Sequence, residues 1–176
     1  MQTRRNVSLW KVLVPLLALP SCHSEQQITA SDASAVLARA TNAAVKVLPS
    51  NYCVEPRLEQ SPVTTLTHSD DGGWVRPSGQ PNLKVRLIHY SAPERLPPQA
   101  LSAFSNQTPQ QECRNPIVFA KPSFIETKSA QGSKIEAVVS FSNTCPLCGA
   151  GYEIHFVKNG NEWETLPPGI LTAWVS

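Results

Sequence analysis

After residue 19 this chain has no apolar run approaching the roughly 20 residues that a membrane-spanning helix needs. It has no glycine-rich loop of the kind that cradles phosphate. It has no nucleophile elbow either, since Gly72-Gly73-Trp74-Val75 lacks both the serine and the flanks. Only one Cys-x-x-Cys pair is present, and the second pair of a four-thiolate zinc site is missing. No internal repeat occurs, and no low-complexity tract beyond one Pro/Gln-rich stretch. Charge is nearly balanced, with 15 Lys+Arg against 13 Asp+Glu in 176 residues. Phosphate-cradling enzymes and elbow-type hydrolases lose their sequence support on these grounds.

What is present begins at the amino terminus. Arg4, Arg5 and Lys11 form a positive leader, and Val12 to Leu19 is a short apolar run. These are the first two regions of a secretory signal peptide, assigned here to residues 1–21. The run ends in Leu19-Pro20-Ser21-Cys22, which resembles the lipobox of bacterial lipoproteins. Leu19, Ser21 and Cys22 match that pattern. Pro20 departs from it, at a position that usually holds a small or β-branched residue. The resemblance implies cleavage before Cys22 and attachment of lipid, such as palmitate, to its sulfur and new amino terminus. It also implies anchoring to a membrane of the bacterial cell envelope, facing the periplasm or the exterior. Each buried lipid methylene contributes about 0.8 kcal/mol to such an anchor.

Loss of the signal changes the charge. Three of the 15 basic residues lie in it and none of the 13 acidic ones, which leaves 12 against 13, or −1. The basic balance therefore belongs to the signal, and the remainder has no electrostatic footprint for nucleic acid. About 155 residues suit one domain. Residues 22–28 read as lipid attachment and tether, and 29–176 as the domain.

The pattern along that domain predicts one helix and then strands, an α+β fold with the helix covering an antiparallel β-meander. Thr29 and Asp32 have capping-box spacing, with Ser31 as a rival cap. Val36, Ala40, Ala44 and Val47 share a helical face, and Pro49 stops the helix. Val63 to His68 reads as a strand, and Ser69 to Gly73 as a turn. Leu83 to Tyr90 alternates, with Leu83, Val85, Leu87 and His89 on one face and His89 read as a core histidine. Ser91 to Pro116 reads as a long surface excursion with one helical turn near Ala100 to Phe104. The meander follows as Ile117–Glu126, Ser133–Ser142, Ala150–Lys158 and Asn161–Leu166, with Ile170–Val175 closing it. Asn159-Gly160 is a hairpin signal.

Excluding Cys22, four cysteines remain: Cys53, Cys113, Cys145 and Cys148. An even number in an exported chain points to two disulfides, with three connectivities open. Cys145-Pro146-Leu147-Cys148 has the form of a β-turn with proline at its second position. A turn brings its end Cα atoms within about 7 Å, and disulfides span about 4.4–6.8 Å. That favours Cys145–Cys148, leaving Cys53–Cys113. A redox dithiol is the competing reading. It calls for a helix N-terminus at the attacking cysteine, whereas the residues after Cys148 alternate like a strand.

The segment from Val138 to Trp163 contains Cys145-Pro146-Leu147-Cys148-Gly149, Gly151-Tyr152 and Asn159-Gly160. It resembles bacterial envelope proteins that carry a CGPLCGxGY hairpin, some of them similar to cystatin-like or NTF2-like α+β folds. The present chain has Thr144 directly before Cys145 and lacks one glycine of that pattern. The resemblance implies a fold type and no activity.

Other candidate chemistry is sparse. Glu153 and His155 share a strand face, with Glu162 or Glu164 expected on the next strand, as acid–base candidates. His68 to Asp71 offers nitrogen and oxygen ligands but reads as turn chemistry. No catalytic residue, metal or cofactor is assigned. The expected function is a non-catalytic envelope lipoprotein acting as a binding, inhibitory or assembly module. Its expected partners are the membrane, through the anchor, and an envelope protein. The alternatives are an extracytoplasmic thiol–disulfide oxidoreductase using Cys145 and Cys148, and a toxin-neutralising immunity protein.

Overall fold

A computed structural model describes residues 27–48, 52–61, 76, 79, 82–104, 116–145 and 148–175. The expected signal, Cys22, the 63–68 strand, the His68–Asp71 cluster and Cys113 lie outside the described residues.

Among the described residues the fold is α+β, with one long helix against a seven-stranded, mostly antiparallel sheet. Helix α1 spans Ala30–Val47. Thr29 and Asp32 form the capping box, each side chain taking the other's backbone N–H at 3.0–3.2 Å. The helix ends two residues before Pro49. Its buried stripe is Ala33, Val36, Leu37, Ala40, Thr41 and Ala44. Val47 does not belong to that stripe: it is 57% exposed.

The strands are β1 (Cys53–Val54), β2 (Lys84–Ile88), β3 (Pro116–Phe119), β4 (Ser123–Ser129), β5 (Gly132–Cys145), β6 (Cys148–Asn159) and β7 (Glu162–Val175). A short helix α2 (Pro98–Ser102) precedes β3. β5 is central. β6 and then β7 pair along one of its edges, while β3 and β4 lie end to end along the other. β2 continues outward from β4, and β1 runs parallel to β3.

The expected single strand Ile117–Glu126 is thus two strands. Between the pairs Phe119↔Phe141 and Ser123↔Val138, the β3–β4 side carries one residue more than β5. Pro122 sits in this bulge and has no N–H for the ladder. The extra residue shifts the alternation, so Phe119 and Phe124, an odd number apart, both face the helix. Tyr90 donates its hydroxyl to the Pro122 carbonyl at 2.7 Å and packs edge-on to Phe124.

Large side chains of the sheet meet small ones of the helix. Phe119, Phe124, Phe141, Phe156 and Trp163 are buried in one core with Ala33, Ala40 and Ala44. Alternating large and small residues lets the two layers approach closely, and each such aromatic contributes about 1.5–3 kcal/mol by burial. Phe119, Phe141 and Tyr152 stack in series at 5.1 and 5.0 Å.

Ser91 to Phe104 is not a surface excursion. Leu96, Ala100 and Phe104 are buried in this same core, and α2 packs on α1. Its helical turn begins at Pro98 rather than Ala100, since proline suits a first helical position. His89 lies one residue past β2 and is exposed, so it is not a core histidine. Asn161–Leu166 and Ile170–Val175 are one strand, β7, with a bulge of Leu166 to Gly169 opposite His155. In the β6–β7 turn Gly160 takes φ 59° at the first central position, where a type II′ hairpin calls for glycine.

Candidate functional site

The inner sheet face is filled by the helix, so the outer face carries the candidate chemistry. Alternation places Val118, Ser140, Ser142, Gly151, Glu153, His155 and Leu171 on it. A third bulge adds an aromatic. Tyr152 pairs with Thr172, but Gly151 pairs with Trp174, so Ala173 is extra on β7. Without that residue Trp174 would fall on the inner face; with it, the indole reaches the outer face over Gly151.

The two glycines of β6 make room for the ring. A Cβ on Gly151 would fall within 2.6 Å of Nε1, Cδ1 and Cε2 of Trp174, and one on Gly149 within 3.1 Å of Cη2 and Cζ3. The five-membered ring therefore covers Gly151 and the six-membered ring covers Gly149, so the indole lies lengthwise along β6. Trp174 remains 45% exposed.

Beside this shelf is a cavity of about 200 Å³. Ala120, Ser140, Ser142 and Gly151 give it a floor of small residues, and Val118, Trp174, Glu59 and Glu153 stand around it. It lies between the Pro122 bulge and the Ala173 bulge. The first brings Ala120 against β5, where its N–H donates to the Ser140 carbonyl at 2.8 Å. Ser140 is only 8% exposed, and among the described residues its hydroxyl has no hydrogen-bond partner.

The other expected site residues separate. Glu153 Oε2 and His155 Nε2 are 3.5 Å apart, near-neighbours along one strand face. Glu162 and Glu164 do not join them. Glu153 stands opposite Leu171, while Glu164 pairs with Val157 near the far turn and accepts from Asn159 at 3.0 Å. The long β7 bulge separates the two ends. Cys145 and Cys148 are register partners closing the β5–β6 hairpin. Cys53 is buried and disulfide-bonded. Among the described residues no three His, Cys, Asp or Glu side chains gather in metal-binding geometry, and no helix is long and apolar enough to cross a membrane.

A larger opening of about 620 Å³ adjoins the β1 side, lined by Glu55, Arg57, Glu59 and Glu94. Two of its carboxylates have partners within the protein. Lys121 Nζ lies 2.7 Å from Glu94, whose carboxyl is held below the usual range by that bond and by the Lys121 charge. The Arg57 backbone N–H donates to Glu55 at 3.2 Å.

Trp174 was not expected as a site residue. Its sequence signal is Gly149-x-Gly151, since alternate glycines in a strand mark close approach of another group. Which group approaches depends on the bulge at Ala173. No protein-family model, curated protein or solved structure matches this chain.

Proposed function

We propose that this protein is a non-catalytic, lipid-anchored binding module of the bacterial cell envelope, tethered through Cys22 and engaging its ligand with the outer sheet face. The observation that carries the binding role is the small-floored cavity beside the exposed Trp174, between two bulges. Bulges re-aim side chains and are over-represented beside functional sites. The strong ion pairs elsewhere have structural partners. Glu126, on β4 between β5 and β2, is bound by Arg86 and by Ser133 at 2.6–2.7 Å, and Asp32 by Lys158 at 2.7 Å. The anchoring and the compartment rest on the lipobox-like Leu19 to Cys22.

The disulfide framework we propose is Cys145–Cys148 and Cys53–Cys113. Register partners lie about 4.5–5.5 Å apart at Cα, within the disulfide range. Cys53 stands beside Pro116, three residues after Cys113. Cys145 is on β5, about two strand spacings or 9–10 Å away, too far for Cys53. The competing oxidoreductase reading asks for a helix N-terminus at the pair, and Cys148 instead opens strand β6.

Three experiments test this reading. Cys22→Ser should abolish lipid labelling and release the protein from membranes; unchanged partitioning overturns the anchor. Full-length protein in detergent should co-sediment with washed envelope material, and Trp174→Ala should lower that retention. Equal retention of the two proteins overturns the outer face as the binding surface. Free-thiol titration of the folded protein should detect no thiols if both bridges are structural.

A further inference from the structure

We infer that the edge of β7 over Ile170 to Val175 pairs with the same edge of a second copy of this chain, as antiparallel strands related by a two-fold axis between Thr172 and Ala173. The inference goes beyond the binding-module reading, which needs no second copy.

The edge is open. Among the described residues β7 pairs only with β6 and is the last strand on its side of the sheet. Leu171, Thr172, Ala173, Trp174 and Val175 are exposed one after another. Of the four large exposed hydrophobics among the described residues, three fall in this run: Leu171, Trp174 and Val175. An edge strand turns backbone N–H and C=O groups outward without a ladder partner, and natural sheets blunt such edges with charge or proline. The first half of β7 is blunted in that way by Glu162, Glu164, Pro167 and Pro168. On the opposite side of the sheet β2 carries Lys84 and Arg86. Ile170 to Val175 has neither a charge nor a proline, and most of its residues are strong strand formers. That is the composition of a segment that adds to another strand.

The order of faces selects a second copy as the occupant. Ile170 and Val175 stand opposite Ile154 and Ala150 and face inward, whereas Leu171 and Trp174 stand opposite Glu153 and Gly151 and face outward. Thr172, opposite Tyr152, faces inward, and Ala173 is the bulge residue. From either end the segment therefore runs inward, outward, and then into a central pair. Directly opposed residues of an antiparallel ladder share a face. An axis between Thr172 and Ala173 obeys that rule, setting Leu171 against the partner's Trp174 and Ile170 against the partner's Val175. An axis through Thr172 would oppose Ile170 to the partner's Trp174, inward to outward. An axis through Ala173 would do the same with Thr172. A bulge ordinarily protects an edge, but here each strand brings the same extra residue to the axis, so the two bulges match. A charged peptide would find no counter-charge between Ile170 and Val175. The pairing also brings the partner's Leu171 beside the Trp174 indole at the rim of the outer-face cavity.

The contact runs along about 20 Å of strand. That is short of a standard interface, so a weak, micromolar dimer is expected. Sedimentation equilibrium of the full-length protein, in detergent with micelles in excess over protein, should show monomer and dimer exchanging with concentration. Thr172 is exposed, and its two copies flank the axis. Thr172→Lys and Thr172→Glu should each weaken the dimer at least about tenfold by placing like charges together. An equal mixture of the two variants should recover it. Glu162→Lys, at the far end of β7 and beyond the screening length, should stay within about twofold of wild type. Thermal midpoints report whether each variant is folded. Hydrogen exchange of the wild type is a check that needs no variant: protection over Ile170 to Val175 should rise with protein concentration.

A chain that stays monomeric into the millimolar range overturns the inference, even if an extended peptide adds to the same edge. A dimer that Thr172→Lys leaves intact, or that Glu162→Lys weakens equally, uses another surface and also overturns it. Failure of the mixed variants to recover the dimer overturns the two-fold pairing, as does concentration-independent exchange over Ile170 to Val175.

Discussion

Trp163 donates its indole N–H to Asp32 Oδ1 at 3.1 Å, across 131 positions of sequence. The same oxygen takes Lys158 Nζ at 2.7 Å, and Asp32 Oδ2 closes the capping box with the Thr29 N–H at 3.0 Å. One carboxylate therefore caps α1 and fastens it to the last hairpin. Burial on its own would raise the Asp32 pKa. The bonds from Lys158, from the Thr29 backbone and hydroxyl, and from Trp163 outweigh it and hold the pKa at about 2, below the ordinary 3.8.

The pH dependence follows from that depression. A carboxyl with a lower pKa in the folded state stabilises the fold above the unfolded value. The contribution fades as pH falls from about 4 towards about 2. Allowing for partial solvent screening it is about 1–2 kcal/mol. Asp32→Asn should lose it at neutral pH and flatten the acid limb between those values. Urea midpoints of the two proteins above and below the ordinary aspartate pKa measure this. Parallel acid limbs would show that Asp32 is not the linked group.

The helix face supplies a second prediction. Ala44 is fully buried while Val47 is 57% exposed, although both fall on the face expected from sequence. Ala44→Leu should destabilise by about 1–3 kcal/mol through overpacking. Val47→Gln and Arg39→Gln should stay within about 0.5 kcal/mol of wild type. Thermal melts separate them. A loss at Val47 as large as that at Ala44 would mean the helix is docked in a different rotation.

These residues also mark how far the sequence could be read. The capping box at Thr29 and Asp32, the stop at Pro49 and the Gly160 turn are local chemistry, each settled within four residues, and the structure has them. The strands of the meander were legible through alternation. Leu96, Ala100 and Phe104 were not, because a Pro/Gln-rich setting hides three apolar residues that pack only once α1 is in place. Trp174 was illegible for a topological reason. Its face depends on one extra residue, Ala173, in a register that β6 and β7 set together. The tie between Asp32 and Trp163 likewise exists only after the hairpin meets the helix.

Ser140 and Ser123 offer a contrast on one sheet face, each 8% exposed. Ser123 donates to Ser61 Oγ at 2.7 Å, whereas the Ser140 hydroxyl has no partner among the described residues. Ser123→Ala should therefore destabilise by about 1 kcal/mol. Ser140→Ala removes an unpaired buried group and should stabilise by a similar amount, about 1–3 kcal/mol. Denaturant midpoints decide it. A destabilised Ser140→Ala would mean that its hydroxyl is already satisfied.

The proposed bridges make the last prediction. Cys145 and Cys148 are register partners with two residues between them in sequence, so a bridge there closes a very short loop. Replacing both with serine should remove about 2 kcal/mol in the chain-entropy account. The hairpin should survive, because β5 and β6 remain paired from Thr144↔Gly149 to Glu136↔Val157. Replacing Cys53 and Cys113 should cost more, about 4 kcal/mol, since that loop is about 61 residues long. β1 would also lose its covalent tie beside a two-residue pairing with β3. An oxidoreductase would behave differently, losing activity at the Cys145–Cys148 pair with little change in stability. A zinc site would unfold on any of the four substitutions, and a chelator would mimic them. Mass spectrometry of the unreduced, digested protein is the direct measurement. It should find a peptide joining Cys53 to Cys113. A peptide joining Cys53 to Cys145 or Cys148 would require β1 to bridge across β3, and the proposed framework would be wrong.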